Sequence, residues 1–234
     1  MNPDDLKCQA AYHAVDRFVA TGMRLGLGTG STSRHALVRI AEGLRAGKYK
    51  DLRGVPTSKQ TEALARELGI PLTTLEACPE LDLYIDGADE VDPAFNLIKG
   101  LGGALLREKI TASAARRMVV IIDESKLVNQ LGSKAPLPVE VLTFGWNTHE
   151  RWLQALGCVP QLRLTDQGNL FQTDGGNYIY DCRFPDGIQN PARLETTLNN
   201  RPGILENGLF LGCADEVIVG TQTHGLLERT RPAD

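Results

Sequence analysis

What this sequence lacks narrows its possible roles first. It has no excess of basic residues: 25 Lys and Arg stand against 29 Asp and Glu, and the two signs are interspersed along 234 residues. A net charge of -4 leaves neither the basic stripe of a nucleic-acid binder nor a polybasic membrane patch, so nucleic acid and membrane are not expected partners. It also has no apolar run long enough to span a bilayer. The opening MNPDDLK carries no basic segment followed by an apolar run and a small-residue cleavage site. The expected compartment is therefore the cytoplasm. Five cysteines, at positions 8, 78, 158, 182 and 213, are scattered, odd in number and without a CxxC pair. That pattern argues against a disulfide framework and a zinc site, and buried or idle thiols are expected. Four histidines, at 13, 35, 149 and 224, have no Ser/Asp or Cys partner nearby in sequence, so a hydrolase triad lacks support and surface or satisfied histidines are the simpler reading. Internal repeats and low-complexity tracts are missing too, which excludes solenoids and long flexible tails.

What is there reads as an ordinary globular chain. Hydrophobic residues make up 42% and charged residues 23%, enough to bury a core without staples. Apolar spacing predicts a helix over residues 6–19, a short buried strand over 23–27, a turn at GTGSTS and a helix over 33–44. The unit then repeats. GVPTS leads into a helix over 59–68 closed by Gly69, and LDLYIDGADEVD ends an apolar strand in a cluster of acids. After a helix over 104–116, MVVIIDESK is again a strand followed by a polar loop. Alternating strands and helices predict an α/β fold, a Rossmann-like mostly parallel sheet with helices on both faces. Beyond Lys134 the turn-rich DQGN and DGGN segments separate strands near 161–164 and 178–184, with helices over 148–156 and 192–199. This predicts a smaller inserted α+β domain over 133–205, flanked by a larger domain of residues 1–132 and 206–234. The apolar ADEVIVGT returns a strand to the larger domain, and the final ERTRPAD is expected to fray.

Ligands of open parallel sheets sit beyond the carboxyl ends of the strands. Four polar clusters are expected on that rim: residues 29–33, 86–92, 99–103 and 123–126. GTGSTS combines glycines with hydroxyls and backbone amides at a helix start, which suits a phosphate; it reads equally well as a tight turn with a serine cap. It matches neither GxGxxG nor GxxxxGK[ST], so a dinucleotide or nucleoside triphosphate is disfavoured. DGADEVD crowds Asp86, Asp89, Glu90 and Asp92 into seven residues. Asp86 and Asp89, nearest the strand end, are the functional candidates, whereas Glu90 and Asp92 read as a solvated loop or capping cluster. A magnesium site is conceivable from the carboxylates, but no Walker-type loop accompanies them. In KGLGGALLREK, Lys99 precedes a run of glycines and Glu108 lies in the helix that follows, so that both can face one site. Leu105, Leu106 and Ile110 are expected on the buried face of that helix, with Glu108 on its flank, where partial desolvation favours a general base. The glycine-turn amides are candidates to hold an oxyanion.

In order along the chain stand GLGTGSTS, GVPTS, DGADEVD, KGLGGALLREK, DESK, LPVEV, GGNYIYD and ENGLF. With them the sequence closely resembles the ribose-5-phosphate isomerase type A family, from about residue 6 to 221. The resemblance implies interconversion of D-ribose 5-phosphate and D-ribulose 5-phosphate through an enediolate, no metal or coenzyme, and a homo-oligomer, commonly a dimer. Carried over by position, it implies Glu108 as general base, Asp86 and Asp89 as catalytic aspartates and Lys99 as the active-site lysine. Substrate and phosphate contacts fall on Thr29, Gly30, Ser31, Thr32, Gly87, Ala88, Gly100, Leu101 and Gly102, with Lys7 and Lys126. Leu101 departs from the family pattern, standing where many relatives carry another glycine. Two other readings fit the residues: a sugar-phosphate sensor, which would need a DNA-binding domain, and a deaminase or transferase on a related scaffold.

Overall fold

The computed structural model describes residues 2–231, and the chain divides into two compact units. One is built from the chain up to Ala88, Arg107–Leu127 and the chain from Cys213 on; the other from Asp89–Leu106 and Val128–Gly212. The first unit opens with α1 (Pro3–Phe18), β1 (Arg24–Leu27), α2 (Ser31–Arg45), β2 (Arg53–Pro56), α3 (Lys59–Glu67) and β3 (Leu83–Asp86). The second receives β4 (Glu90–Val91), β5 (Leu97–Ile98) and the start of α4 (Leu105–Ala114), before β6 (Met118–Asp123) returns to the first. It then takes β7 (Leu137–Val141), α5 (Glu150–Ala155), β8 (Val159–Leu162), β9 (Tyr178–Arg183), α6 (Pro191–Asn199), β10 (Ile204–Asn207) and β11 (Leu209–Phe210). The antiparallel pair β12 (Glu216–Thr221) and β13 (Gly225–Thr230) completes the first unit.

Two helix starts differ from the periodicity. Because the first turn of α1 is polar, apolar spacing places its start at residue 6, yet the helix begins at Pro3. Asn2 and Asp5 form a reciprocal capping box there, each side chain accepting from the other's amide at 2.9 and 3.0 Å. α2 begins at Ser31, inside the segment expected to be a turn, with Gly30 as its cap residue.

The sheet of the first unit runs β13-β12-β6-β3-β1-β2, all parallel except β13. Strand alternation sorts its faces. Leu25, Leu27, Leu83, Ile85, Val119 and Ile121 pack with the small residues of α1 and α2 and with Ala65 of α3. The alternate residues Gly26 and Tyr84 meet Thr111 of α4 on the other face. The expected Rossmann-like α/β sheet is present, with ADEVIVGT as the strand beside β6. The chain end is more ordered than expected: Thr230 pairs with Glu216 and the Arg231 amide donates to Asp215, while residues 232–234 lie outside the described residues.

The second unit has an antiparallel sheet, β10-β7-β9-β8, and a three-stranded sheet, β11-β5-β4. Leu137, Val139, Val141 and Tyr180 bury against Leu153 of α5 and Leu198 of α6. The three-stranded sheet escaped the sequence reading because its strands are only two residues long. Among the described residues no helix is long and apolar enough to cross a membrane.

Candidate active site

The carboxyl ends of β1 and β3 carry the first group of candidates, centred on Asp86. This carboxylate is fully buried. Its Oδ1 accepts from the Thr29 amide at 3.0 Å, the Ser33 hydroxyl at 2.8 Å and the Gly87 amide at 2.8 Å; its Oδ2 accepts from the Tyr84 hydroxyl. Gly28 makes this possible, since a Cβ there would lie 2.1 Å from Asp86 Oδ1. Sequence reasoning missed Tyr84 and placed Ser33 only at the end of a polar rim cluster, without a role beside Asp86. Tyr84 was findable, because strand period puts residue 84 on the same face as residue 86.

The GTGSTS segment divides its labour. Thr29 turns its hydroxyl into a cluster with Thr57, Ser58 and Thr61 at 2.8–2.9 Å, joining GVPTS to the β1 turn. Gly30, Ser31 and Thr32 lead into α2, whose N-terminus has no side-chain cap and no acid in its first turn. Lys7 reaches the same place from α1, donating to Ser31 Oγ at 3.2 Å. Unclaimed helix amides, hydroxyls and an ammonium group together suit a phosphate. Lys126 closes a short 3-10 turn after β6, and among the described residues it makes no hydrogen bond to this group.

Glu108 comes from α4, where the structure corrects the expected helix face. Ile110 is 50% exposed, while Leu105, Glu108 and Thr111 form the buried stripe, with Glu108 itself 4% exposed. Three-residue spacing puts these on one face, and the carboxylate is at its centre rather than on its flank. Its charge is felt by Tyr84: burial first, then the negative charges of Asp86 and Glu108, push that phenol well above its ordinary value. Tyr84 is thus a protonated donor to Asp86.

The second group belongs to the other unit. Lys99 does not end a strand of the parallel sheet, as the expected rim required, but follows β5 of the three-stranded sheet. It is 3% exposed, its amide donates to Gly208 O at 2.9 Å, and its Nζ lies 5.6 Å from the centroid of the Phe210 ring. The turn after it is held by Gly100 at φ +104°, where a Cβ would approach Leu105 to 2.9 Å. Leu101 and Gly102 at its tip are exposed. Asp89 Oδ2 accepts from the Leu101 amide at 3.0 Å, so the second candidate aspartate and the glycine turn are one assembly. Ala88 and Asp89 straddle the point where the chain passes between units.

Two expectations fail elsewhere in the second unit. Glu90 is fully buried rather than solvated, accepting from the amides of Gly132, Lys134 and Ala135 at 2.6–2.7 Å. Asp92 does cap its loop, accepting from the Ala94 and Asn96 amides at 2.9 Å. His149 is neither at the surface nor satisfied: it is buried, its Nδ1 has no hydrogen-bond partner, and burial followed by the Arg201 charge lowers its pKa. Among the described residues no three His, Cys, Asp or Glu side chains are grouped to hold a metal ion.

The model of the family "Ribose 5-phosphate isomerase A (phosphoriboisomerase A)" matches residues 53–224. Ribose-5-phosphate isomerase A of Chloroflexus aurantiacus is 51% identical, the match covering 91% of this chain and 88% of its relative. The probable ribose-5-phosphate isomerase 2 of Arabidopsis thaliana is 48% identical, over 94% and 84%. Among solved structures, ribose 5-phosphate isomerase from Plasmodium falciparum superposes with a TM-score of 0.95 at 41% identity, covering 98% of this chain and all of the other. A D-ribose-5-phosphate isomerase in complex with phospho-erythronic acid gives 0.95 and 41% over 99% of this chain and 100% of the other. With a buried carboxylate on α4, a lysine-glycine turn and near-complete matches of this kind, the chain belongs to the ribose 5-phosphate isomerase A family.

Proposed function

We propose that this protein interconverts D-ribose 5-phosphate and D-ribulose 5-phosphate by proton transfer between C1 and C2, in the non-oxidative pentose phosphate pathway. The reading extends to a cytoplasmic homodimer that binds neither nucleic acid nor membrane. One observation carries it. Glu108 is a carboxylate buried on the inward stripe of α4, in a chain 51% identical over most of its length to an enzyme named for this reaction.

Asp86, held in place by four donors, assists opening of the furanose ring. Glu108 then removes the C2 proton of the open-chain aldehyde, and the electron pair moves toward the carbonyl oxygen to give an enediolate. Returning the proton to C1 yields the ketose, while Asp89 relays a proton between O1 and O2. Charge developing on oxygen is met by Lys99 and the amides of the 100–102 turn, donors already oriented before the reaction; losing one such donor costs about 10²–10³-fold in rate. Ser31, Thr32, the Gly30 turn, Lys7 and Lys126 bind the phosphate, with Thr29 fixing the turn, and Gly87 and Ala88 border the sugar. Remote phosphate binding then holds the reacting carbons in register.

A relative holds phospho-erythronic acid. A planar carboxylate at the end of a hydroxylated phosphate chain matches an enediolate in shape and charge, and we extend that binding to this chain. The test is direct: the purified protein, given ribose 5-phosphate, forms ribulose 5-phosphate, and phospho-erythronate inhibits competitively. Failure to form a ketopentose, or turnover confined to amino-sugar phosphates, overturns the reading.

A further inference from the structure

The glycine turn that bears Leu101 and Gly102 is gripped from behind by one side chain. Arg163, the residue after β8, donates from Nη1 to the carbonyl oxygens of both Gly100 and Leu101, at 3.1 and 3.0 Å. Its Nε and Nη2 form a fork with Asp181 of β9, and its guanidinium lies 5.5 Å from the centroid of the Phe171 ring. Gln161 pairs with Asp181 across the strands, so Arg163, two residues on, shares the face of Asp181 and reaches it diagonally. The side chain is 11% exposed.

A trans peptide points its C=O and its N–H in opposite directions, and the described residues contain no cis bond. Holding the Gly100 carbonyl therefore aims the Leu101 N–H away from Arg163, and that N–H donates to Asp89 Oδ2. Holding the Leu101 carbonyl aims the Gly102 N–H away from Arg163 as well. A guanidinium drawing on a carbonyl also polarises the N–H at the other end of the same peptide.

We infer that Arg163, anchored by Asp181, is a positioning residue for the isomerisation: it sets the Gly100–Leu101 and Leu101–Gly102 peptides so that one amide orients Asp89 and the next faces the reacting sugar oxygens. This rests on the isomerase reading above. Because such donors act mainly on charge that develops in the transition state, their loss lowers kcat more than it raises KM. Lysine cannot replace the residue, since an ammonium group has no planar fork to hold a carboxylate and two carbonyls together.

The test compares wild type with Arg163→Ala, Arg163→Lys and Arg163→Ala/Asp181→Ala. Arg163→Ala lowers kcat about 10²-fold with KM changed less than about threefold. Added guanidinium ion restores part of that rate only while Asp181 remains to seat it. Arg163→Lys, which keeps charge and stem if the alanine variant fails to fold, shows the same kcat defect. A substrate-independent readout accompanies the kinetics: hydrogen exchange of the Leu101 amide quickens about tenfold or more in either single variant. A folded Arg163 variant with near wild-type kcat, a loss confined to KM, or a Leu101 amide that exchanges unchanged overturns the inference. Wild type inactive on ribose 5-phosphate overturns the isomerase reading instead, and the Leu101 amide still judges the peptide geometry.

Discussion

Tyr84 and Asp86 stand two residues apart on β3, and the buried Tyr84 hydroxyl donates to Asp86 Oδ2. Burial, with the negative charges of Asp86 and Glu108, keeps that phenol protonated. Tyr84→Phe leaves Asp86 with one donor fewer in a dry site, a loss of about 1–3 kcal/mol. The variant should melt several degrees lower and turn over roughly tenfold more slowly, about 1.4 kcal/mol of barrier. Calorimetry and initial rates check both.

The same tyrosine sets an alkaline limit. Its folded pKa is raised, so the stability it contributes is fully present below the unfolded value of about 10 and is lost as pH rises toward the folded value. Denaturation midpoints measured above pH 10 should fall less steeply for Tyr84→Phe than for wild type. An identical slope removes Tyr84 as the cause.

Glu90 is the clearest structural carboxylate. Three amides of the 132–135 segment converge on it, and Glu90→Ala leaves them without their acceptor, those of Gly132 and Ala135 in the interior of the second unit. A loss of about 3–5 kcal/mol is expected, comparable to breaking a buried charged network, and urea titration reads it. Asp92→Ala, at a half-buried loop cap, should cost only about 1 kcal/mol.

Lys7 meets Ser31 at the uncapped start of α2. Lys7→Ala should raise KM for ribose 5-phosphate about tenfold with kcat little changed, the pattern of lost uniform binding. The KM of wild type should rise with ionic strength more steeply than that of the variant. Equal salt dependence contradicts a phosphate contact by Lys7.

Much of the first unit was legible because apolar strands ending in polar turns leave a trace: RLGL, LYID and MVVIID all fall where the apolar runs put them. What was illegible is instructive for physical reasons. The start of α1 is written in capping chemistry rather than apolar spacing, so Asn2 and Asp5 carried the signal that Leu6 did not. Glu90 looked like one more acid in a solvated loop, because its partners are amides more than forty residues away. Ile110 looked like core and is half exposed, whereas the polar Glu108 and Thr111 are buried, so apolar spacing alone points to the wrong face of that helix. Arg163 sits in a turn-rich stretch where nothing local distinguishes it from a solvated arginine.

The central claim is that Glu108 carries the carbon-bound proton, and Glu108→Gln tests it most directly, since the amide keeps the side chain's shape and removes its basicity. The account predicts kcat lower by about 10²–10⁴-fold, with phospho-erythronate binding retained within a few-fold in calorimetric titration. A variant that binds the ligand and still isomerises ribose 5-phosphate at near wild-type rate would contradict it.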